Sequence, residues 1–359
     1  MIRVAIDGRR LQDRPLTGVG RALAGMLPHL ATRAEVTVLT DRRRGAPTAP
    51  GCSVAPLPGL GPLPETAWLQ ASAGPWMRRR SDLVFHGTFN ALPLVSAARS
   101  VVSIYDLSWE HHPEDLGRGK RALFAAQARW AARHADVVVT VSQFTARSIS
   151  DTYGVHPDRL SVIPIAVPAV FSPARRDEAA PLLARLGIHG PYLVAMGGAR
   201  RRGLTVAVQA WREATAHLGG DRPQLVVVGR EAPPEGSGPG VIHAGALDDL
   251  DWARVLAGAE VFVYPTRFEG FGMPALEAAA SGTPVVCAPV ASLPEVLGPA
   301  AEWAAAPTAG AVAAVLGPLI DDGGRRRQLA QAGLERAAAA PGWEAIASDT
   351  VRVYERAAA

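Results

Sequence analysis

The sequence predicts an α/β protein made of two doubly wound, Rossmann-like parallel-sheet domains. Short β-rich runs alternate with helical segments along the whole chain, and that alternation restarts after a proline-rich stretch near the middle. A length of 359 residues exceeds one typical core and suits two. Alternating βα units imply parallel sheets whose ligands sit at the carboxyl ends of the strands.

In the first half, β-rich runs fall at 3–7, 36–40, 83–86, 101–105, 137–141 and 160–165. The second series runs through 192–196, 225–229, 261–264 and 285–287, with 241–243 a weaker strand. The prolines at 168, 173, 181 and 191 place a linker at 168–188. The expected organisation is therefore a domain at 1–167, the linker, and a second domain at 189–340. An Ala-rich end, broken at Pro341-Gly342, leaves a helix at 341–359. Residues 45–75 are rich in Pro and Gly and read as surface loops with one short helix.

Composition narrows the chemistry. Hydrophobic residues make up 48% and charged residues 19%, as in a globular protein, and no apolar run approaches the roughly 20 residues of a membrane span. The N-terminal Met-Ile-Arg-Val-Ala-Ile-Asp enters a strand directly and lacks the regions of a signal peptide, so a cytoplasmic location is expected. Cys52 and Cys287 make no metal spacing. The net charge of +4 comes from arginine, because Lys120 is the single lysine. That excludes a Walker loop and leaves only Lys120 for a pyridoxal Schiff base. Arginine triplets at 42–44, 78–80, 200–202 and 325–327 lack interleaved aromatics, so no nucleic-acid partner is expected.

Residues 265–296 carry the densest signal: Glu-Gly-Phe-Gly-Met-Pro-Ala-Leu-Glu, then Gly-Thr-Pro-Val-Val, then Leu-Pro-Glu-Val. Pro274 suits the first position of a helix that opens just after Gly272. The amides of Phe271, Gly272 and Met273 would then form a seat for phosphate or sugar hydroxyls. Glu269 and Glu277 beside such a seat would repel a diphosphate unless each engages hydroxyl donors. A nucleotide sugar offers both groups.

This stretch resembles the E-x7-E signature of retaining GT-B glycosyltransferases, the large family 4, mannosyltransferase-like group, with Glu269 and Glu277 as its two acids. The resemblance implies two Rossmann-like domains facing a cleft. It implies that Glu269 and the following amides hold the donor sugar and that Glu277 binds the ribose. Thr17-Gly18-Val19-Gly20-Arg21 resembles the family's N-terminal glycine loop, which implies that Gly18 and Gly20 lie over the donor diphosphate or near the acceptor. In Gly197-Gly198-Ala199-Arg200-Arg201-Arg202-Gly203, Arg201 and Arg202 fall where relatives carry an Arg-Lys pair for that diphosphate. Tyr105 stands where relatives commonly have His, next to the matched Asp106. His86 and Asn90 end a strand at which acceptor contacts are expected. Trp343-Glu344 matches the Trp before the last helix, which in the family crosses back to the N-terminal domain.

Ser142 reads as a helix cap, and Asp249-Leu-Asp251 reads as acids of a helix start rather than a metal motif, so no metal and no cofactor is expected. The nucleotide sugar is a co-substrate. The acceptor is a hydroxyl on a glycan, a lipid-linked sugar or a small molecule. Trp68, Trp76 and Met77 beside Arg78–Arg80 offer a face for peripheral membrane contact. Two other readings stay open: a non-catalytic subunit of the same fold, motivated by Tyr105, and a nucleotide-sugar epimerase. A nicotinamide oxidoreductase fits less well, because the Gly18 loop lacks the Gly-x-Gly-x-x-Gly spacing.

Overall fold

The computed structural model describes residues 1–61, 65–95 and 98–359. The chain divides into two compact units: Met1–Ala166 with Pro341–Ala359, and Val167–Ala340. Their strands, in chain order, are β1 (Arg3–Asp7), β2 (Glu35–Asp41), β3 (Ser53–Leu57), β4 (Val84–Gly87), β5 (Arg99–Ser103), β6 (Val137–Thr140) and β7 (Leu160–Val162) in the first unit. The second holds β8 (Tyr192–Met196), β9 (Gln224–Val228), β10 (Val241–Gly245), β11 (Val261–Tyr264), β12 (Val285–Cys287) and β13 (Ala301–Trp303). Helices of eight residues or more are α1 (Gly18–Leu30), α2 (Arg118–His134), α3 (Gln143–Tyr153), α4 (Leu204–Ala214), α5 (Asp249–Gly258), α6 (Met273–Ala280), α7 (Ala309–Asp321), α8 (Gly323–Ala338) and α9 (Trp343–Ala358).

The sheet orders are β3-β2-β1-β4-β5-β6-β7 and β10-β9-β8-β11-β12-β13. In both, the order reverses between the unit's first strand and the strand that follows its edge pair, which is where doubly wound sheets bind ligands. Central strands such as Val261–Tyr264 and Val137–Thr140 are buried on both faces, hence their unbroken apolar sequence.

β3 and β13 depart from the sequence expectation. Both are edge strands. β3 contains Pro56, which a central strand would reject, and the three residues of β13 follow Gly298-Pro299. The expected linker packs as part of the second unit: Phe171, Leu182 and Ile188 lie in its core. The candidate membrane face also changes. Trp68 and Met77 are buried in the first unit's core, and Trp76 is covered by the Arg80 guanidinium 4.0 Å from its ring centre. Among the described residues, no helix is long and apolar enough to cross a membrane.

α9 belongs to the first unit, where it packs on α1. Gly25 of α1 makes room for it: a Cβ there would lie 2.4 Å from the Trp343 ring. Ser142 caps α3 by accepting from the Thr145 amide, and Asp248 caps α5 by accepting from the Asp251 amide.

Candidate functional site

In the second unit β8 and β11 are neighbours at the point of reversal, and the loops that leave them are stitched together. The Arg267 amide donates to Arg201 O at 2.7 Å, and Thr266 Oγ1 donates to the same oxygen at 3.2 Å. Gly203, at φ +71°, lets the first loop lie on the second: a Cβ there would be 2.5 Å from Pro265 O. The Arg201 backbone thus joins the loop–loop seam, its charge acts on Tyr264, and Arg202 lies in the field of the acids.

Glu269 is buried, and its Oε1 accepts a 2.5 Å hydrogen bond from the phenol of Tyr264, the last residue of β11. Burial raises the Tyr264 pKa well above its ordinary value, and the Glu269 charge adds to this, so the phenol stays a donor. The Glu269 backbone oxygen accepts from Ser292 Oγ at 2.9 Å, which fixes the loop from its other side. Glu277, 1% exposed on α6, accepts at Oε2 from the Trp252 indole at 2.9 Å. Burial opposes the charge on Arg202, but Tyr264, Glu269 and Glu277 outweigh it and raise its pKa. Arg202 Nη1 donates to Gly197 O at 3.4 Å, while its Nε is shielded from solvent without a hydrogen-bond partner among the described residues.

Gly272 caps α6 at φ +94°, a conformation L side chains resist, and a Cβ there would come 2.5 Å from Leu293 Cδ2. Ala275 and Leu276 donate the first helical bonds to Gly272 O, so the amides of Gly272 and Met273 precede the ladder. Met273 is the first helical residue and Pro274 the second, one place later than expected. Arg202, Tyr264, Glu269 and Glu277 thus form one cluster, and the loop from Glu269 through Phe271 leads into the start of α6 at Gly272 and Met273.

The first unit's point of reversal lies between β1 and β4. Asp7 ends β1 and is held by a two-pronged Arg9 contact at 2.9 and 2.7 Å. Burial would raise the Asp7 pKa, but the Arg9 charge and hydrogen bonds lower it on balance. Gly20 has an internal reason to be glycine, since a Cβ would sit 2.4 Å from Arg10 O, and its amide donates to Thr17 Oγ1. Gly18 opens α1.

His86 faces inward. Its Nδ1 lies 2.8 Å from Tyr354 Oη on α9 and its Nε2 lies 2.8 Å from Ser103 Oγ, so both ring nitrogens are engaged inside the unit. Burial pushes the Tyr105 pKa up to about 12. Tyr105, Ser103 and His86 line a small cavity of about 50 Å³ beneath α9. Asp106 Oδ1 accepts from the Ser108 amide at 2.8 Å, a turn-forming contact. Asn90 sits at φ +55° with a buried Oδ1 that lacks a hydrogen-bond partner among the described residues. Sequence reasoning missed Tyr264, Trp252 and the Asp7–Arg9 pair. Buried Tyr and Trp need a partner for their polar ends, and a tyrosine closing a strand five residues before an acid was the available signal.

Two α/β units with these orders and this acid-arginine site define the GT-B class of fold. A family model described as Glycosyl transferases group 1 matches residues 190–322, and one described as Glycosyltransferase Family 4 matches residues 16–171. An O-antigen chain mannosyltransferase B of Escherichia coli is 30% identical over 295 residues, which is 78% of this chain and 76% of that protein. An MMP alpha-(1->4)-mannosyltransferase of Mycolicibacterium hassiacum is 31% identical over 250 residues, 66% of this chain and 58% of that protein. Sucrose-phosphate synthase from Thermosynechococcus elongatus superposes with a TM-score of 0.77 at 19% identity, over 99% of this chain and 98% of that one. The chain belongs to glycosyltransferase family 4, whose members transfer sugars from nucleotide donors.

Proposed function

We propose that this glycosyltransferase moves a hexose from a nucleoside-diphosphate sugar to an acceptor hydroxyl with retention of configuration, and that the donor lies on the second unit. The observation that carries this is the convergence of Arg202 with two buried acids where the sheet order reverses. A diphosphate needs cationic and amide donors, supplied by Arg202 and the start of α6. Sugar and ribose hydroxyls need acceptors, supplied by Glu269 and Glu277. As the glycosidic bond breaks, negative charge grows on the departing diphosphate, and donors already in place stabilise it without reorganisation.

In this reading the acceptor hydroxyl attacks from the leaving-group side and gives its proton to a phosphate oxygen. No base pair is then required of the protein, and a Tyr105 held neutral at pH 7 is compatible with turnover. Mannose is the sugar to try first, because both relatives described above are named mannosyltransferases. The acceptor is a sugar, polyol or lipid-linked hydroxyl.

The test is thermal unfolding of the full chain with GDP, UDP, dTDP and ADP. One nucleoside diphosphate at about 100 times its Kd should add roughly 2.7 kcal/mol, and Glu277→Ala should abolish the shift. Failure of every nucleotide to shift the wild type, together with no sugar release from GDP-mannose or UDP-glucose, would favour a non-catalytic subunit.

A further inference from the structure

The two site acids are each approached by an aromatic donor, and the aromatics form one continuous strut. The Trp252 and Phe262 rings meet edge-on with centroids 5.9 Å apart, and the Phe262 and Tyr264 rings stack at 5.1 Å. Phe262 and Tyr264 alternate onto the same face of β11, and Trp252 reaches them from α5. All three are buried: Trp252 is 4% exposed and the other two 0%. The polar end of the strut at Tyr264 donates to Glu269, and the polar end at Trp252 donates to Glu277.

A lone buried aromatic needs some partner for its polar atom, and that alone would explain one such contact. Here a single rigid unit ends in two donors, each fixed on a different acid of the site. The carboxylate orientations are set by β11 and α5 rather than by flexible loops. Each aromatic donor also consumes acceptor capacity on its carboxylate, which limits how many substrate hydroxyls that carboxylate can receive.

We propose that Tyr264 and Trp252 are positioning residues with divided tasks: Tyr264 orients Glu269 for the donor sugar, and Trp252 orients Glu277 for the nucleoside. This rests on the donor-site reading above. Arg202 completes the arrangement, since it lies in the field of the phenol and of both acids.

The experiment compares full-length wild type, Tyr264→Phe and Trp252→Phe. Calorimetry measures Kd for GDP and UDP, and hydrolysis of GDP-mannose and UDP-glucose gives kcat and KM. Trp252→Phe should weaken the preferred nucleoside diphosphate by about tenfold while kcat at saturating donor changes less than about threefold. Tyr264→Phe should leave that Kd within about twofold and lower kcat by about tenfold, because the nucleoside diphosphate lacks the sugar that Glu269 orients. Equal effects of both variants on both quantities, or no effect of either in an active enzyme, would overturn the division. The donor-site reading fails separately, through a wild type that binds neither nucleotide or a Glu277→Ala variant that binds like wild type, and the proposal then falls with it. If Tyr264→Phe does not fold, the Kd-against-kcat split of Trp252→Phe still decides the nucleoside half, and a Trp252→Phe that moves kcat instead of Kd refutes it.

Discussion

His86 makes the first unit sensitive to mild acid. The ring is 3% exposed, clasped by Tyr354 of α9 and Ser103 of β5, with Tyr105 beyond Ser103 and Asp7 near enough to act through its charge. Burial lowers its pKa from 6.5 to about 4, and the charge of Asp7 offsets only part of that. Between those pH values the unfolded chain holds a proton that the folded chain refuses, so stability rises with pH across the window. It is fully present above 6.5 and is lost as pH falls toward 4. At 1.36 kcal/mol per pH unit, the gap amounts to about 3 kcal/mol, a large share of a typical domain's stability. Asp7, whose pKa is depressed below 3.8, loses its stabilising contribution only at lower pH, outside this window. Urea unfolding of wild type and His86→Gln at steps from pH 4.5 to 7.5 isolates the effect, because contributions common to both proteins cancel. Wild type should lose about 2 kcal/mol relative to the variant between pH 6.5 and 4.5. Parallel stability curves would refute the reasoning and show that the ring accepts its proton in the folded state.

Three further outcomes follow from the geometry. Arg202→Met should weaken nucleoside-diphosphate binding by about tenfold or more in calorimetry, whereas Arg200→Met should change it less than about twofold. Gly272→Ala forces a left-handed alanine against Leu293 and should cost about 2 kcal/mol in urea unfolding, with a loss of nucleotide affinity because the start of α6 shifts. Gly25→Ala places a methyl group in the Trp343 ring and should loosen α9, read as faster limited proteolysis near Pro341-Gly342 than in wild type.

Most of the fold was legible because its central strands are buried on both faces and therefore read as unbroken apolar runs. Residues 261–264, 192–196 and 3–7 were placed to the residue. The edge strands were not, since β3 must satisfy only one neighbour and so tolerates Pro56, and β13 is too short to show a pattern. Glu269, Glu277 and Gly272 were legible because a strand end, a left-handed glycine and a helix start occur in series. The seam between the Arg201 backbone and the β11 loop was not, because it joins residues 65 positions apart. The inward turn of His86 was also hidden: its partner Tyr354 lies 268 positions away, and no local pattern reports a contact made by the last helix.

The two sheets share one strand order but use their points of reversal differently, and this difference is the physical ground for assigning the donor to the second unit. At the first, the carboxylate that closes β1 is neutralised from within, since Arg9 grips both oxygens of Asp7 and stacks 4.5 Å over Trp68. A closed pair of that kind supports a wall and leaves little charge for a ligand to meet. At the second, Arg202 lies in the field of two buried carboxylates, and each carboxylate is oriented by an aromatic donor rather than gripped on both oxygens by a cation. Burying such an arrangement is costly unless substrate groups complete it. A nucleotide sugar brings hydroxyl donors for the acids and a diphosphate for the cation and the amides of the helix start. Removing one buried charge should therefore stabilise the empty protein while disabling it: Glu277→Gln should raise the melting temperature of the apo enzyme yet weaken nucleotide binding. A Glu277→Gln protein that melts lower than wild type and binds nucleotide as well as wild type would show that the buried charge of Glu277 stabilises the empty fold and does not meet the nucleotide.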